Sequence, residues 1–570
     1  MGKVLTFDQL VTADGNRLPF LAGRGSLVCL LFGVLFFVPA RLGGENRDVN
    51  VSSVTELFDV LTKIRHERKE QTKPVTILLE DGAYAFTNKI TLAGEDGRNI
   101  TFRARNPGQV SFVGGRILPL ASVRQLSKGD SVAGRIDIAV RDRVRSVEVP
   151  PELNDLFSNC LGGIVPYPAE EYSEEIAESQ RLPRFPVFSI DGKFMVPARW
   201  PNNGKYYALD AETFIHGDEI TQPDQSGKVV HVQTNNLIRC PNERCKRWNL
   251  AGANAFAYGF IMGGCAYACT WKKLVGFDSD GNLEIAKGWG AVAKNSRMQF
   301  VNIMEELDEP GEWCYDSGSM RIYFIPPEGF SDHSVVALGY GLDHMLYIKA
   351  QSVRIEGINF WAKNGRPIIC IEKPAYKTEI VGCKFSALDY IGVHAAGRKT
   401  TIRDCDFTDI MSSGINLTGG DVRTELDWGG NVVENCLFDR CCMMKSGWAQ
   451  GGVRVGGCGN RVAHCLFRNF PEQGCIVEGI GHVFEYNRLY DTATEFGDTA
   501  AVYCGWMGKN YGNVFRYNDI GSSPGYCNAL YLDDGASGNL VYGNILRGFG
   551  NYGIFIGGGR DNIISNNFCL

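Results

Sequence analysis

The chain has 570 residues, of which 44% are hydrophobic and 21% charged, and its 58 basic against 64 acidic side chains give a formal net charge of −6. That balance excludes a disordered chain, and the absence of a basic excess argues against a nucleic-acid binder that works by neutralising phosphates. Glycine, at 68 residues, makes up roughly 12% against a usual 7%, which implies many tight turns and few long helices.

The first expected element is a targeting segment. Leu27 to Ala40 (LVCLLFGVLFFVPA) is preceded by Arg17 and Arg24 and is too short for a comfortable membrane span. With Val38-Pro39-Ala40 as a small-residue cleavage site, residues 1–40 read as a signal peptide and the mature protein as secreted or periplasmic. An uncleaved anchor and a mis-assigned start are the alternatives that the long polar lead leaves open. No later stretch has the length and apolarity to span a bilayer, so no membrane partner is expected beyond the export signal.

Residues 41–116 read as an N-terminal cap and the first strands of a solenoid. Ser53-x-x-Glu56 is a capping box, and Val54, Leu57, Phe58, Leu61 and Ile64 follow at helical spacing, which predicts an amphipathic helix over about 53–70. PVTILLEDGAYAF and RNITFRARNPGQVSFVGG then read as strands. Across 117–340 periodicity is lost. FPVFSIDGKFMVPARWPNNG and EELDEPGEWCYDSGSMRIYFIPP, with Asp-Gly and Pro-Pro punctuation, predict a β-rich insertion that forms an accessory wall. The 19 cysteines include Cys240, Cys245, Cys265 and Cys269, whose spacing departs from a zinc ribbon and suits two local disulfides at least as well. No metal site is expected.

From 341 to 570 one phrase recurs: an apolar residue, two variable positions, a ladder residue, one variable position, then often Phe, Leu or Ile. Its ladder residues are Ile358, Cys383, Cys405, Cys436, Cys465, Asn487, Asn518, Asn544 and Asn567, separated by 22 to 31 residues. A second phrase interleaves with it (GVHA, GINL, GVRV, GCIV, AVYC, ALYL, GIFI), each a small residue followed by a short alternating strand. A period in the twenties with several short strands, glycine corners and no intervening helix marks an all-β parallel β-helix. The ladder residues then stack about 4.8 Å apart, with Asn bonding along the stack and Cys filling it as a small hydrophobe.

The order of DGAY, ARWPN, LDEPGEW, IYFIPP, GDTAAVY, ALYLDDG and NNF is similar to the exported right-handed parallel β-helix proteins of the pectin-lyase-like superfamily, and among them to glycoside hydrolase family 141. The likeness spans most of residues 75 to 570. It implies a right-handed solenoid acting on plant or algal polysaccharide, with aspartates as the acids: Asp498 in GDT, and Asp533 or Asp534 in LDDG.

The residues also speak for themselves. Glycosidic hydrolysis needs one carboxyl to protonate the leaving oxygen and another as nucleophile or base. Aligning the second phrase places Glu478 and Asp533 in one outward column, with Gly505 between them and two rungs of about 4.8 Å separating their backbones. Column arithmetic thus pairs Glu478 with Asp533, and resemblance pairs Asp498 with Asp533 or Asp534. Asp533-Asp534-Gly535 is also ordinary turn chemistry. Tyr503, Trp506 and Tyr531 sit on or beside the same face as sugar-stacking candidates, although the tyrosines can equally stack on each other. His394 and Arg454 are candidates for contacting hydroxyls or an acidic sugar, or are simply solvated.

Three functions remain open at this stage. One is a glycoside hydrolase on a polysaccharide or oligosaccharide, one a polysaccharide lyase, and one a non-catalytic glycan-binding surface protein. No dinucleotide or Walker motif points to a cofactor, and oligomeric state is not legible.

Overall fold

The computed structural model describes residues 47–68, 73–95, 97–153, 186–202, 206–208, 218–223, 229–234, 237–239, 243–251, 253–260, 269–286, 292, 295–339, 343–363, 365–421, 427–443, 450–505, 510–521 and 527–570. The expected signal peptide and Trp506 lie outside these residues.

Three parallel sheets wind into a solenoid. The first has twelve strands, from Arg47–Val51 to Ile563–Ser565, the second eleven, from Gly82–Phe86 to Phe568–Cys569, and the third ten, from Ile90–Leu92 to Ile554–Ile556. One coil contributes one strand to each, as Glu379–Val381, Lys384–Leu388 and Val393–Ala395 do. Coils stack in register, pairing Phe385 with Phe407, Phe407 with Phe438 and Phe438 with Phe467. From Phe360 to Phe467 the inward rings form a stack with centroids 4.6 to 5.0 Å apart, so the core is a column of repeated apolar residues. The all-β class and the stacking of equivalent residues follow the reading from sequence.

The ladder residues turn the chain from the first sheet into the second. Each follows a residue in the left-handed region: Gly357, Gly382, Asp404, Asn435, His464, Tyr486, Tyr517, Gly543 and Asn566 have φ between 51° and 73°. Gly suits that conformation, Asn, Asp and His tolerate it, and the bulky Tyr is uncommon there. The rings of His464, Tyr486 and Tyr517 compensate by stacking on one another at 5.1 and 5.2 Å. Behind the corner, Asn518 Oδ1 accepts from the Asn487 backbone N–H at 2.9 Å, and its amide donates to the Phe484 carbonyl at 3.0 Å. Asn544 repeats this toward Asn518, so each rung ties down the one before it. The buried cysteines Cys405 and Cys465 close the same corner with thiols 3.1 and 3.2 Å from the carbonyl two residues back.

A second polar ladder at the corner from the third sheet back to the first is also written in the sequence, as an Asn or His, after Gly in all but the last case, followed two residues later by an apolar position. Asn431, Asn460, His482, Asn513, Asn539 and Asn562 occupy it, and each backbone N–H from Asn431 to Asn539 donates to the side chain one rung on. His482 replaces Asn in the middle, with Nδ1 accepting from Asn460 N–H at 3.1 Å.

The predicted cap helix spans Val54–Glu67 and buries Leu57, Leu61 and Ile64 against the first coils, with Val54 and Phe58 partly packed there. Ser53 Oγ accepts the Glu56 N–H as a capping box requires, but Glu56 reaches back to the N–H of Ser52 at 2.8 Å instead of Ser53.

The insertion leaves after Val110–Gly114 in the second sheet and returns at Leu346–Ile348 in the third, replacing one turn of one coil. Parallel pairing continues across it, Val110–Gly114 with Ile358–Lys363 and Ile90–Leu92 with Leu346–Ile348. Its strands are mainly antiparallel, such as Phe256–Phe260, Thr270–Phe277 and Arg297–Val301, and they carry hydrophobic clusters of their own. The acids of EELDEPGEW serve this subdomain. Glu306 is buried and accepts from Arg244 Nε and Trp248 Nε1, both at 2.6 Å, while buried Glu312 accepts the N–H groups of Asp308 and Glu309 at 3.1 Å. Cys245 and Cys269 are buried in different clusters of the insertion, and Cys240 and Cys265 fall outside the described residues.

Candidate active site

The third sheet presents the outward column expected from sequence. His394, Asn416, Arg454, Ile476, Tyr503, Tyr531 and Phe555 pair rung by rung. Asp533 follows Tyr531 by two positions and leaves the strand Asn528–Leu532.

Asp533 lies in a slot made by glycine. On one side, a Cβ added at Gly505 would come within 2.6 Å of Tyr503 Oη and 2.8 Å of Asp533 Cβ. On the other, a Cβ at Gly557 would lie 2.2 Å from Asp533 Oδ1 and 3.0 Å from Tyr531 Oη. Side chains on either neighbouring rung would therefore occupy the space into which the carboxylate and the two phenols project. The Tyr503 hydroxyl donates to Asp533 Oδ2 at 2.9 Å. Tyr503 and Tyr531 meet edge to face at 5.3 Å, so they contact each other and also hold the acids.

Asp498 comes to the same place from a loop. It has a φ of 49° just before the strand Ala500–Cys504, is exposed, and accepts from the Tyr531 hydroxyl at 3.4 Å. Linking that contact to the distances around Gly557 puts Asp498 Oδ1 and Asp533 Oδ1 no farther apart than about 9 Å. Retaining pairs stand about 5–5.5 Å apart and inverting pairs about 6.5–9.5 Å. Burial first, then the hydrogen bond to Asp533, pushes the Tyr503 phenol far up, and burial with both aspartates does the same to Tyr531. Both tyrosines therefore remain protonated donors to the carboxylates.

The other candidates separate. Asp534 (φ 46°) and Gly535 (φ 84°) are the central residues of a turn closed by Ala536 N–H to Asp533 O at 2.9 Å, the ordinary turn chemistry already readable in DDG. Glu478 shares the column of Asp533 two rungs away, but its carboxylate turns to Arg454, with Nη2 at 2.8 Å and Nε at 2.9 Å. His394 lies four rungs before Tyr503, and burial depresses its imidazole.

One acid near the site escapes a reading of the repeat. Glu495, three residues before Asp498, accepts the Tyr206 hydroxyl at 2.7 Å, and burial raises its carboxyl above the usual range. Arg297 donates to the Glu495 carbonyl at 3.2 Å and lies over the Phe260 ring at 4.2 Å, and Phe260 meets Phe496 at 4.8 Å. The insertion thus grips the loop that carries Asp498. Among the described residues no group of three or more His, Cys, Asp or Glu side chains forms a metal-binding cluster.

A family described as the right handed beta helix region matches residues 367–569. The right-handed solenoid inferred from the sequence is thereby established. No curated protein matches the chain. Among solved structures, a protein described as a glycoside hydrolase aligns with TM-score 0.64 and 16% identity, over 91% of this chain and 96% of that one. XylC in complex with xylose aligns at 0.44 and 10% identity, over 87% and 80%. Alginate lyase from Paenibacillus sp. str. FPU-7 aligns at 0.27 and 15%, over 39% and 77%. At 16% identity the first of these is a likeness of fold.

Proposed function

We propose that this chain is an exported glycoside hydrolase, of the kind grouped in family 141, that cleaves plant or algal polysaccharide with Asp498 and Asp533 as its carboxylate pair. The observation that carries the reading is the convergence of two acids, 35 positions apart in sequence, on Tyr531 and on a slot kept open by Gly505 and Gly557. One carboxyl protonates the leaving oxygen and the other serves as nucleophile or base, while Tyr503 and Tyr531 hold them and offer ring edges and hydroxyls to the sugar. The similarity to a structure described as a glycoside hydrolase supports the scaffold for such a site. A lyase would need a free base beside the acids, and Arg454 is engaged by Glu478, which weighs against that chemistry.

The test is a panel of plant and algal oligosaccharides with the wild-type protein, Asp498→Asn and Asp533→Asn. Hydrolysis gives new reducing ends without ultraviolet absorbance, and each variant loses about 10³-fold or more in turnover while retaining glycan binding. Unsaturated products would instead identify a lyase, and binding without turnover in the wild type would identify a glycan-binding protein.

A further inference from the structure

Two exposed rings lie on the corner where the third sheet turns back to the first. Bridges join Cys458 to Ile480, Ile480 to Tyr511 and Tyr511 to Ser537, so these four residues stand on successive rungs. The residue after each is a glycine, Gly459, Gly481, Gly512 and Gly538, with φ between 63° and 68°. In earlier coils the same place, after the bridged column Gln351, Tyr376 and Arg398, is taken by Ser352, Lys377 and Lys399, with φ between 51° and 58°. The turn itself therefore accepts a side chain, and the later glycines answer a different need. Trp428 supplies it at two of them. A Cβ at Gly459 would fall 1.6 Å from its Cε3 and one at Gly481 2.5 Å from its Cη2, so the indole lies against the bare backbone of two successive rungs. Tyr511 repeats this further along, where a Cβ at Gly538 would fall 2.5 Å from its Cε2. Yet Trp428 is 54% exposed and Tyr511 57%. Each ring is thus seated on backbone and open on its other side.

The indole is fixed before any ligand arrives, which lowers the entropy lost on binding. Its strand Asp427–Trp428 pairs antiparallel with Gly420–Asp421, and Asp427 meets Arg398 Nη2 at 2.5 Å while Asp421 faces Lys373 at 3.8 Å. With the carboxylates of this hairpin both beside cations, the rings suit an uncharged ligand. The Trp428 ring spans the rungs of Gly459 and Gly481, and the Tyr511 ring those of Tyr511 and Gly538, which sets their centres two rungs apart, ~10 Å at ~4.8 Å per rung. An open aromatic face attracts the polarised C–H bonds on the flat side of a pyranose ring. In a β-1,4-linked chain every second unit turns the same face the same way, and two units span close to this distance. We propose that this corner binds an extended, neutral β-1,4-linked glycan, with Trp428 and Tyr511 stacking on alternate sugar rings. The site shares no residue with the Asp498–Asp533 cleft, and the inference stands whether or not those acids are catalytic.

Calorimetric titration of the full chain, carrying Asp498→Asn and Asp533→Asn so that nothing is turned over, tests the assignment with cellohexaose, maltohexaose and glucose. Cellohexaose is expected to bind saturably, and glucose and the coiled, α-1,4-linked maltohexaose about tenfold or more weaker. Trp428→Ala weakens cellohexaose binding about tenfold, Tyr511→Ala severalfold, and Trp428→Tyr, which restores a ring, recovers part of the loss. Both positions are exposed, and thermal melting of each variant verifies that the fold is kept. The proposal is overturned if cellohexaose does not bind, if maltohexaose binds as well, if both alanine variants bind unchanged, or if Trp428→Tyr is no better than Trp428→Ala. Dimers that form with rising concentration and vanish in Trp428→Ala would assign the rings to a second copy of the chain and overturn it equally.

Discussion

His482 makes the stability of the solenoid depend on pH in a way that can be worked out from its contacts. It is 2% exposed, its Nδ1 accepts the Asn460 N–H at 3.1 Å, and its Nε2 donates to the Glu478 carbonyl at 2.9 Å. Only the neutral ring satisfies both partners, because a proton on Nδ1 would face another donor. Burial accordingly pushes its pKa down to about 4 from 6.5. Above pH 6.5 the ring is neutral folded or unfolded, and the ladder contributes in full. As pH falls from 6.5 toward 4 the unfolded chain takes up a proton that the folded chain refuses, so stability declines across that window. At about 1.4 kcal/mol per pH unit the loss is on the order of 3 kcal/mol. His482→Asn places at this rung the residue found at Asn460 and Asn513, keeps an acceptor for the Asn460 N–H, and removes the titration. Denaturant unfolding of both proteins at pH 7.5 and 4.5, with amide exchange at Asn460 as a local probe because solenoids open piecewise, isolates the effect. All other titrating groups cancel in the comparison. If the wild type loses no more stability on acidification than H482N, the argument fails.

Two further outcomes follow from the ladders and the slot. Gly557→Ala, at an exposed position, places a methyl 2.2 Å from Asp533 Oδ1 and must rotate that carboxylate off the Tyr503 hydroxyl. Turnover should fall about 10²-fold with thermal stability almost unchanged, and an unaltered rate would show that the slot plays no part in catalysis. Asn518→Ala leaves the buried Asn487 N–H without its acceptor and should cost about 2–4 kcal/mol by chemical unfolding, against about 1 kcal/mol for Cys436→Ala, whose thiol makes only weak contacts; equal losses would refute a directional role for the Asn stack.

The outward column from His394 to Phe555 is legible in the sequence, because a backbone that pairs with its own repeat carries the register in the spacing of its phrases. The cap helix was legible for the same kind of local reason, from Ser53, Glu56 and the apolar spacing that follows. The second ladder is equally local, but its phrase, an Asn or His mostly after Gly, is shorter than the first and stands out less from the surrounding sequence. Register fixes where a backbone sits and not which way a long side chain turns. Glu478 is in the expected column, yet its carboxylate goes to Arg454, one rung back, and away from Asp533.

The sequence by itself determined the solenoid, since coil after coil repeats apolar residues at the same inward positions and pairs with the coil before it. Which acids meet was decided by tertiary structure alone. Asp498 belongs to a loop held through Glu495 and Phe496 by Tyr206, Arg297 and Phe260 of an aperiodic insertion about two hundred to three hundred residues earlier. Contacts between a repeat and a segment that does not repeat leave no periodic trace, and only the folded chain brings the two together.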